Sequence, residues 1–216
     1  MIEIKEQENL FIQIGKRLKR KITAYAIGGT AMMFHGFKEN TLDIDLVFTE
    51  IKDREEFKDA AKYLGYKEMD SVKIYGKKDN SPEMVYLGEN RLDLFVLDVI
   101  DFKFSNNMEK RAKDVHEFSS NFVLKIADVH DIIIMKCATR RLKDEDDIVN
   151  LVKSNKIDWK ILIDEAKNQL KLGRELAIVD LGYLLEKLKF RYKINVPLKI
   201  IDELWRLAKR QARKID

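Results

Sequence analysis

The sequence has 216 residues, of which 45% are hydrophobic and 36% are charged, and its formal net charge is +4 at pH 7. This composition excludes a disordered or fibrous chain, and the length suits one compact domain or two small ones that share an interface. A single cysteine, Cys137, excludes an intramolecular disulfide and fits a reducing compartment. The small positive charge permits a polyanionic partner without requiring one.

Membrane insertion and export are not indicated by the sequence. No apolar run reaches the roughly 20 residues that a membrane-spanning helix needs. The amino-terminal segment MIEIKEQENLF carries acidic residues where a signal peptide would have a basic start and an apolar centre. We therefore expect no membrane partner and a cytoplasmic location.

The first 125 residues alternate short β-rich runs with helical segments, whereas residues 126–216 have the periodicity of nearly continuous amphipathic helix. In chain order, the first part predicts a helix, a strand, a helix, a strand, a helix and three further strands. These elements cover residues 4–20, 24–27, 30–34, 42–48, 54–64, 72–75, 84–87 and 92–99. Strands that alternate with helices predict a small mixed sheet covered by helices.

The second part predicts five successive helices, at residues 128–139, 143–153, 158–170, 174–190 and 197–213. Pro197 is well placed at a helix start, and Gly173 is well placed at a break. We therefore predict the α+β fold class, with an α/β core formed by residues 1–125 and a C-terminal helical domain formed by residues 126–216.

Gly28 and Gly29 close a predicted strand and open a predicted helix within the segment AIGGTAMMFHG. Glycines allow the backbone to approach a ligand closely, and the first N–H groups of a helix point outward toward an anion. The hydroxyl of Thr30 can cap this helix. The segment therefore predicts a phosphate-binding turn, although a glycine pair in isolation is more often a turn and nothing else.

Two aspartates, Asp43 and Asp45, follow in the predicted strand TLDIDLV. Because alternate side chains of a strand share a face, both carboxylates point one way while Ile44 and Leu46 point into the core. Two adjacent carboxylates repel each other unless a cation lies between them, and a few hard oxygen ligands favour Mg²⁺. A D-x-D pair alone is often a solvated strand end, so the informative feature is its spacing from the glycine turn.

This arrangement resembles the polymerase-β nucleotidyltransferase superfamily, in which a hydrophobic-Gly-Gly/Ser turn precedes an acidic pair and a third acid lies in a later strand. Within it, the sequence looks most like the AbiEii/MenT-type nucleotidyltransferases of toxin–antitoxin systems and their archaeal and bacterial relatives. The resemblance implies that Asp93, in RLDLFV, is the third acid. Asp98 is the rival, but it lies at the end of the strand, where a solvated role is favoured. Asp43, Asp45 and Asp93 would then be catalytic and would bind Mg²⁺ or Mn²⁺.

A later segment, residues 123–150, is similar to a family motif in which a helix carries a lysine and K-D-x-x-D follows. Carried over, Lys136 would contact the triphosphate, and Lys143, Asp144 and Asp147 would complete the nucleotide-binding rim. We expect Lys136 to point away from the buried side of its helix. A lysine on an apolar helix is usually a surface residue, and acids at a helix start usually complement its dipole.

The sequence departs from the family pattern in two places. Leu42 stands directly before the acidic pair, where many relatives have a basic residue. Lys38 and Glu39 stand in a loop where many relatives have an arginine. Either change would alter the affinity for the nucleotide or the acceptor that is bound.

The resemblance implies two-metal transfer of a nucleoside monophosphate from a nucleoside triphosphate to an acceptor hydroxyl. The toxin relatives imply tRNA or another RNA as acceptor and a cognate antitoxin protein as partner; a protein side chain or an aminoglycoside remain alternative acceptors. Basic residues near the C-terminus form either an RNA-binding surface or an ordinary solvated face: Arg206, Lys209, Arg210, Arg213 and Lys214. The alternative function is a catalytically inactive nucleotide-binding or antitoxin-like module, which three retained acids disfavour because like charges repel.

Overall fold

The computed structural model describes residues 1–77, 79–139 and 141–212. The chain divides into two compact units, Met1–Asp128 and Val129–Asp216. Within the described residues, the first unit contains all of the strands and the second unit is helical. The predicted α+β fold is therefore confirmed, and the division lies close to the domain boundary that the sequence predicts between residues 125 and 126.

The first unit combines a mixed sheet with short helices. Its strands are β1 (Ile2–Glu3), β2 (Ile22–Ala26), β3 (Asn40–Thr41), β4 (Asp43–Phe48), β5 (Lys67–Met69), β6 (Glu83–Leu87), β7 (Asn90–Val96), β8 (Asp98–Val99), β9 (Phe102–Lys103), β10 (Asp114–Ser119) and β11 (Phe122–Ile126). Its helices are α1 (Ile4–Gly15), α2 (Gly28–Phe34), α3 (Ile51–Tyr63), α4 (Val72–Tyr75) and α5 (Asn106–Arg111).

The main sheet has the strand order β10-β11-β2-β4-β7-β6-β5, and β8 and β9 extend from β7. β4 pairs antiparallel with β2 and parallel with β7. The parallel register places Asp43 opposite Arg91 and Asp45 opposite Asp93. Because side chains alternate along a strand, these four residues lie on the same face of the sheet.

The opposite face of β4 forms part of the hydrophobic core. Ile44, Leu46 and Phe48 are all fully buried, as the alternation of the sequence predicts for the first two. Phe48 packs against Phe57 of α3 with ring centroids 5.3 Å apart. Burial of each such side chain contributes roughly 1.5–3 kcal/mol, so a one-residue slip that exposed them and buried the carboxylates would be strongly unfavourable. Packing of this face therefore fixes where the aspartates point.

The structure differs from the predicted elements in several places, of which two bear on the sheet and the site. The predicted strand at residues 72–75 is the helix α4, in which Val72 and Ile74 are exposed. The amide of Val72 donates to Asp70 Oδ1 at 2.9 Å, which favours a turn at the start of this segment. The hairpin of β10 and β11 is not predicted, because the polar sequence of β10 lacks a strong apolar alternation.

The second unit consists of α6 (Val129–Thr139), α7 (Leu142–Ser154), α8 (Trp159–Lys171), α9 (Leu176–Phe190) and α10 (Leu198–Ala212). Helix α6 packs against α7, α8 and α9 and is buried on nearly all sides. Trp205 of α10 lies against Gly182 of α9, where an added Cβ would be 3.2 Å from the indole ring. The Nε1 of Trp205 donates a hydrogen bond to Glu186 at 2.8 Å. Within the described part of the chain, no helix is both long and apolar enough to cross a bilayer.

Candidate active site

Asp43, Asp45 and Asp93 come together on one face of the main sheet. Each contributes a carboxylate oxygen to a group in which all of the atoms lie within 4.8 Å of one another. Asp93 is fully buried, whereas Asp43 and Asp45 are partly exposed. The rival acid, Asp98, lies outside this group in β8, with its carboxylate 3.8 Å from the ammonium of Lys103. The structure therefore brings together the three acids that the sequence indicates.

The glycine turn lies directly against this acidic group. Gly28 has a φ of +54°, and a Cβ on it would lie 2.6 Å from Asp45 Oδ2. A side chain at this position would be both strained and in collision with the carboxylate. A Cβ on Gly29 would similarly lie 2.6 Å from Thr41 Oγ1. Gly28 thus allows the start of α2 to approach the Asp45 carboxylate closely, and Gly29 allows it to approach Thr41.

Thr30 does not cap α2, and that prediction is wrong. The residue at the capping position is Ile27, which makes no side-chain cap. The fully buried hydroxyl of Thr30 instead accepts a hydrogen bond from the backbone amide of Asp45 at 2.9 Å. Thr30 therefore ties the turn to β4 and helps to hold the backbone that carries the second aspartate.

Arg91 and Tyr75 also contact the acids, and the sequence predicts a role for neither of them. Arg91 donates from Nε to Asp93 Oδ1 at 2.8 Å and from Nη2 to Asp93 Oδ2 at 3.1 Å. The same Nη2 also bonds Asp43 Oδ2. The hydroxyl of Tyr75, in α4, donates to Asp93 Oδ2 at 2.5 Å. Arg91 could have been found from its position two residues before Asp93, whereas Tyr75 falls in a segment predicted as a strand.

These contacts determine the electrostatics of the group. Burial raises the pKa of Asp93, and the donors Tyr75 and Arg91 only partly oppose that rise. Burial also raises the pKa of the Tyr75 phenol, as do the charges of Asp45 and Asp93, so this residue stays a neutral donor. Burial alone would lower the pKa of Arg91, but Asp93 and Asp43 outweigh it and the net shift is upward. Among these side chains, a single cation faces three carboxyl groups.

The donor set fits a divalent metal ion. Carboxylate oxygens are the hard ligands that Mg²⁺ and Mn²⁺ accept, and Mg²⁺ typically uses one or two of them together with substrate phosphates. Asp93 accepts hydrogen bonds from Nε and Nη2 of Arg91 and from the Tyr75 hydroxyl. A carboxylate offers about four lone-pair positions, so a position for a metal remains. Asp43, Asp45 and Asp93 could therefore hold the ion.

The later motif lies in the second unit, where Lys136 is 7% exposed. Its Nζ is 2.7 Å from Asp144 Oδ1 and 2.7 Å from Asp147 Oδ2. Burial acts to lower the pKa of Lys136, but the two aspartates raise it, so the lysine stays charged. Lys143, in contrast, is exposed. The expectation that Lys136 would point freely outward is wrong, because α6 is buried on the side that carries it.

Comparison with known proteins identifies the family. Residues 1–193 match the family described as "Nucleotidyltransferase of unknown function (DUF6036)". No curated protein matches the sequence significantly. The crystal structure of ANT(2")-Ia in complex with adenylyl-2"-tobramycin is 16% identical, with a TM-score of 0.50 over 68% of this chain and 88% of that chain. The solution structure of the antibiotic-resistance factor ANT(2'')-Ia is 17% identical, with a TM-score of 0.46 over 69% and 84%.

The family match shows which family this chain belongs to, whereas the structural similarity shows only its fold. At 16% identity, the similarity to ANT(2")-Ia concerns the fold alone. The family match extends over both the α/β unit and most of the helical unit. This chain belongs to the DUF6036 family of nucleotidyltransferases.

Proposed function

We propose that this protein transfers a nucleoside monophosphate from a nucleoside triphosphate to an acceptor hydroxyl in a reaction that requires a divalent metal ion. The observation that carries the proposal is the convergence of Asp43, Asp45 and Asp93 directly beside the turn at Gly28. Membership of a nucleotidyltransferase family supports the reaction class. The metal, the residue roles and the acceptor belong to this proposal.

In this proposal the three aspartates hold Mg²⁺ or Mn²⁺, and the backbone of Gly28, Gly29 and Thr30 receives the triphosphate. A turn without Cβ atoms next to the carboxylates admits a phosphate close to the main chain. Divalent ions bound there would neutralise phosphate charge and lower the pKa of the acceptor hydroxyl.

The reaction needs no covalent enzyme intermediate. The acceptor oxygen attacks the α-phosphorus, the bond from this phosphorus to the oxygen that bridges to the β-phosphate breaks, and pyrophosphate leaves. The proton of the acceptor hydroxyl passes to a carboxylate, for which Asp93 is the candidate. The positive charge of Arg91 is held beside these carboxylates by two hydrogen bonds to Asp93, so it can stabilise negative charge that develops next to Asp93.

The second unit would contribute Lys136, Lys143, Asp144 and Asp147 according to the motif resemblance. Lys143 is exposed and is the accessible cation of this set. For Lys136 to bind a phosphate, its ammonium would have to leave two carboxylates that are each 2.7 Å away. We therefore propose Lys143 as the first contact of this motif with the nucleotide, and Lys136 as a residue that organises Asp144 and Asp147.

We propose RNA, such as tRNA, as the acceptor. The described part of α10 exposes Arg206, Lys209 and Arg210, which form a cationic surface suited to a phosphate backbone. Arg213 and Lys214, which belong to the same basic group in the sequence, lie outside the described residues. Assignment to the AbiEii/MenT-type toxins, with a cognate antitoxin as partner, rests on the resemblance of motifs and belongs to the same proposal.

A labelling experiment tests this function. The full chain is incubated with each of the four α-³²P-labelled nucleoside triphosphates, Mg²⁺ and, in separate reactions, total RNA, tobramycin or a protein lysate. We expect label in the RNA fraction with the wild-type chain and none with Asp45→Asn. Label in tobramycin or protein would refute the RNA acceptor but support transfer. Binding of metal and nucleotide without any labelled product would favour the inactive nucleotide-binding module.

A further inference from the structure

Arg91 lies among the acids and bonds two of the carboxylates that a metal ion would also use as ligands. Its guanidinium makes two hydrogen bonds to Asp93, at 2.8 and 3.1 Å, and a third to Asp43. The Arg91 side chain is 19% exposed, so the ion pair is largely shielded from water. The register explains this arrangement, because Arg91 is directly opposite Asp43 in the parallel pair of β4 and β7.

We propose that Arg91 is a built-in counter-ion that a divalent metal displaces from Asp43, and that this displacement makes metal and nucleotide bind cooperatively. The inference rests on the proposed function, since it requires the metal to bind at Asp43, Asp45 and Asp93. It adds a positioning residue that links the metal site to the triphosphate.

Competition between Arg91 and the metal follows from the ligand atoms. Nη2 of Arg91 bonds Asp43 Oδ2, and Asp43 is one of the three carboxylates from which the metal would take its ligands. A guanidinium and a divalent ion on the same carboxylate repel each other, and the repulsion is strong where water is largely excluded. Arg91 makes one hydrogen bond to Asp43, whereas it binds Asp93 through both carboxylate oxygens. The contact with Asp43 is therefore the easier of the two to break. We therefore expect the guanidinium to keep Asp93 and to release Asp43.

The nucleotide supplies the anion that a displaced guanidinium requires. Once it has left Asp43, the Nη2 group faces a metal ion in a partly dehydrated site, which is unfavourable without a negative partner. A triphosphate offers several charged oxygens, and the planar guanidinium binds phosphate oxygens in pairs. The metal alone must therefore overcome the loss of the Arg91–Asp43 bond, whereas metal and nucleotide together restore a partner to Arg91. Cooperativity of this kind is reciprocal between the two ligands.

A purely structural role for Arg91 predicts the opposite behaviour. If Arg91 only holds Asp43 and Asp93 in place for the metal, its removal should weaken metal binding because three carboxyl groups would repel one another and move apart. The sign of the change in metal affinity when Arg91 is replaced therefore separates the two roles. This sign can be measured without any catalytic turnover.

The experiment measures Mn²⁺ binding to the full chain by electron paramagnetic resonance, with and without each of the four α,β-methylene nucleoside triphosphates. The variants are Arg91→Gln and the matched control Arg54→Gln. Arg54 is a similarly shielded arginine, 16% exposed, that bonds Glu55 and Glu83. Glu83 is opposite Leu94, so this ion pair belongs to the other face of the sheet.

For the wild type, we expect a nucleotide to raise the Mn²⁺ affinity about tenfold, within the usual range of coupling between two ligands. For Arg91→Gln, the affinity for Mn²⁺ alone should rise about tenfold, and the nucleotide should then add no more than about twofold, since the coupling is lost. Arg54→Gln should behave as the wild type does. Unchanged or weaker Mn²⁺ binding by Arg91→Gln overturns the inference and leaves the proposed function standing.

Two controls keep the outcomes distinct. If Arg91→Gln does not fold, Arg91→Lys replaces it, because lysine keeps the charge but cannot bond both carboxylates in the same way. Tighter binding of Mn²⁺ alone by Arg91→Lys than by the wild type then supports the inference, and equal or weaker binding overturns it. If the wild type and Asp45→Asn both fail to bind Mn²⁺ with every nucleotide, the proposed function fails and the inference fails with it.

Discussion

Replacing Lys136 with methionine would leave two aspartates without their shared cation. The lysine is 7% exposed, and its Nζ lies 2.7 Å from both Asp144 and Asp147. Methionine has a similar length and fills most of the same space, so the main loss is electrostatic rather than a cavity. Removing one partner of a buried ion pair typically costs about 3–5 kcal/mol, because the other charge remains buried.

The remaining contacts of Asp144 and Asp147 indicate that the cost of removing Lys136 lies at the lower end of that range. Asp144 keeps a hydrogen bond from Thr139 at 2.5 Å and one from Arg141 at 2.7 Å. The Asp147 side chain is 16% exposed and can recover some hydration. We therefore expect Lys136→Met to lower the free energy of unfolding by about 3 kcal/mol. For a protein of this size, each kcal/mol corresponds to about 2–4 °C in Tm, so Tm should fall by about 6–12 °C.

The loss should depend on pH in a defined direction. Burial acts to raise the pKa of Asp144, but Lys136, Thr139 and Arg141 outweigh it, so the folded-state pKa lies below its ordinary value. Such a group stabilises the fold above the unfolded-state pKa, and this contribution is lost as the pH falls through the folded-state pKa. The difference in stability between the wild type and Lys136→Met should therefore be largest near neutral pH and should shrink in acid.

Thermal unfolding followed by circular dichroism measures this prediction, since the second unit is helical. The matched control is Lys160→Met, which removes a solvent-exposed pair with Asp164 in the same unit and should change Tm little. Equal Tm values for Lys136→Met and the wild type would refute the buried ion-pair reasoning. Nucleotide affinity of Lys136→Met, measured well below its Tm, then distinguishes the contact with the triphosphate that the resemblance implies for Lys136 from the proposal that Lys143 makes this contact.

Three further predictions concern the candidate site and the acceptor surface. Asp45→Asn should abolish nucleotidyl transfer but leave the Tm of the metal-free protein unchanged or slightly higher, because it removes a metal ligand and also relieves repulsion between carboxylates; lower Tm with retained transfer would contradict this. Gly28→Ala should cost about 1–2 kcal/mol from its positive φ and should weaken Mn²⁺ binding, because the new Cβ would lie 2.6 Å from Asp45 Oδ2; denaturation and Mn²⁺ titration measure the two effects, and unchanged Mn²⁺ affinity would argue against a metal at Asp45. Replacing Lys209 and Arg210 with glutamine should weaken RNA binding and reduce its salt dependence while Mn²⁺ affinity stays constant; unaltered RNA binding in a filter assay would exclude this surface.

The acidic group shows which features of the site are determined by residues that are close together in the sequence. The spacing of Asp43 and Asp45 by one residue places both carboxylates on one face, and the apolar residues between and after them select the other face for the core. The glycine pair before them predicts a turn that a side chain could not occupy, and Gly28 has the positive φ that such a turn requires. These features depend on alternation and backbone conformation over a few residues, so the sequence is sufficient to predict them.

The partners of those residues were decided by tertiary structure. Thr30 resembles a helix cap in sequence, but its hydroxyl accepts from the amide of Asp45, which is 15 residues away. Tyr75 reaches Asp93 across 18 residues because its segment forms a helix rather than the predicted strand. Arg91 meets Asp43 only because β4 and β7 pair in parallel with one particular register. Pairing between distant strands depends on the packing of the whole sheet, which periodicity within one segment does not report.

Lys136 illustrates the same limit in the helical unit. The apolar periodicity of its segment predicts a helix with one buried side, and the helix is present as α6. The periodicity does not show that α7, α8 and α9 surround this helix, nor that Asp144 and Asp147 of α7 would compensate a lysine on its buried side. The sequence by itself determined the helices of the second unit, the acidic face and the glycine turn, because each follows from neighbouring residues. Only the tertiary structure decided which charges became buried together, because that depends on which elements pack against one another.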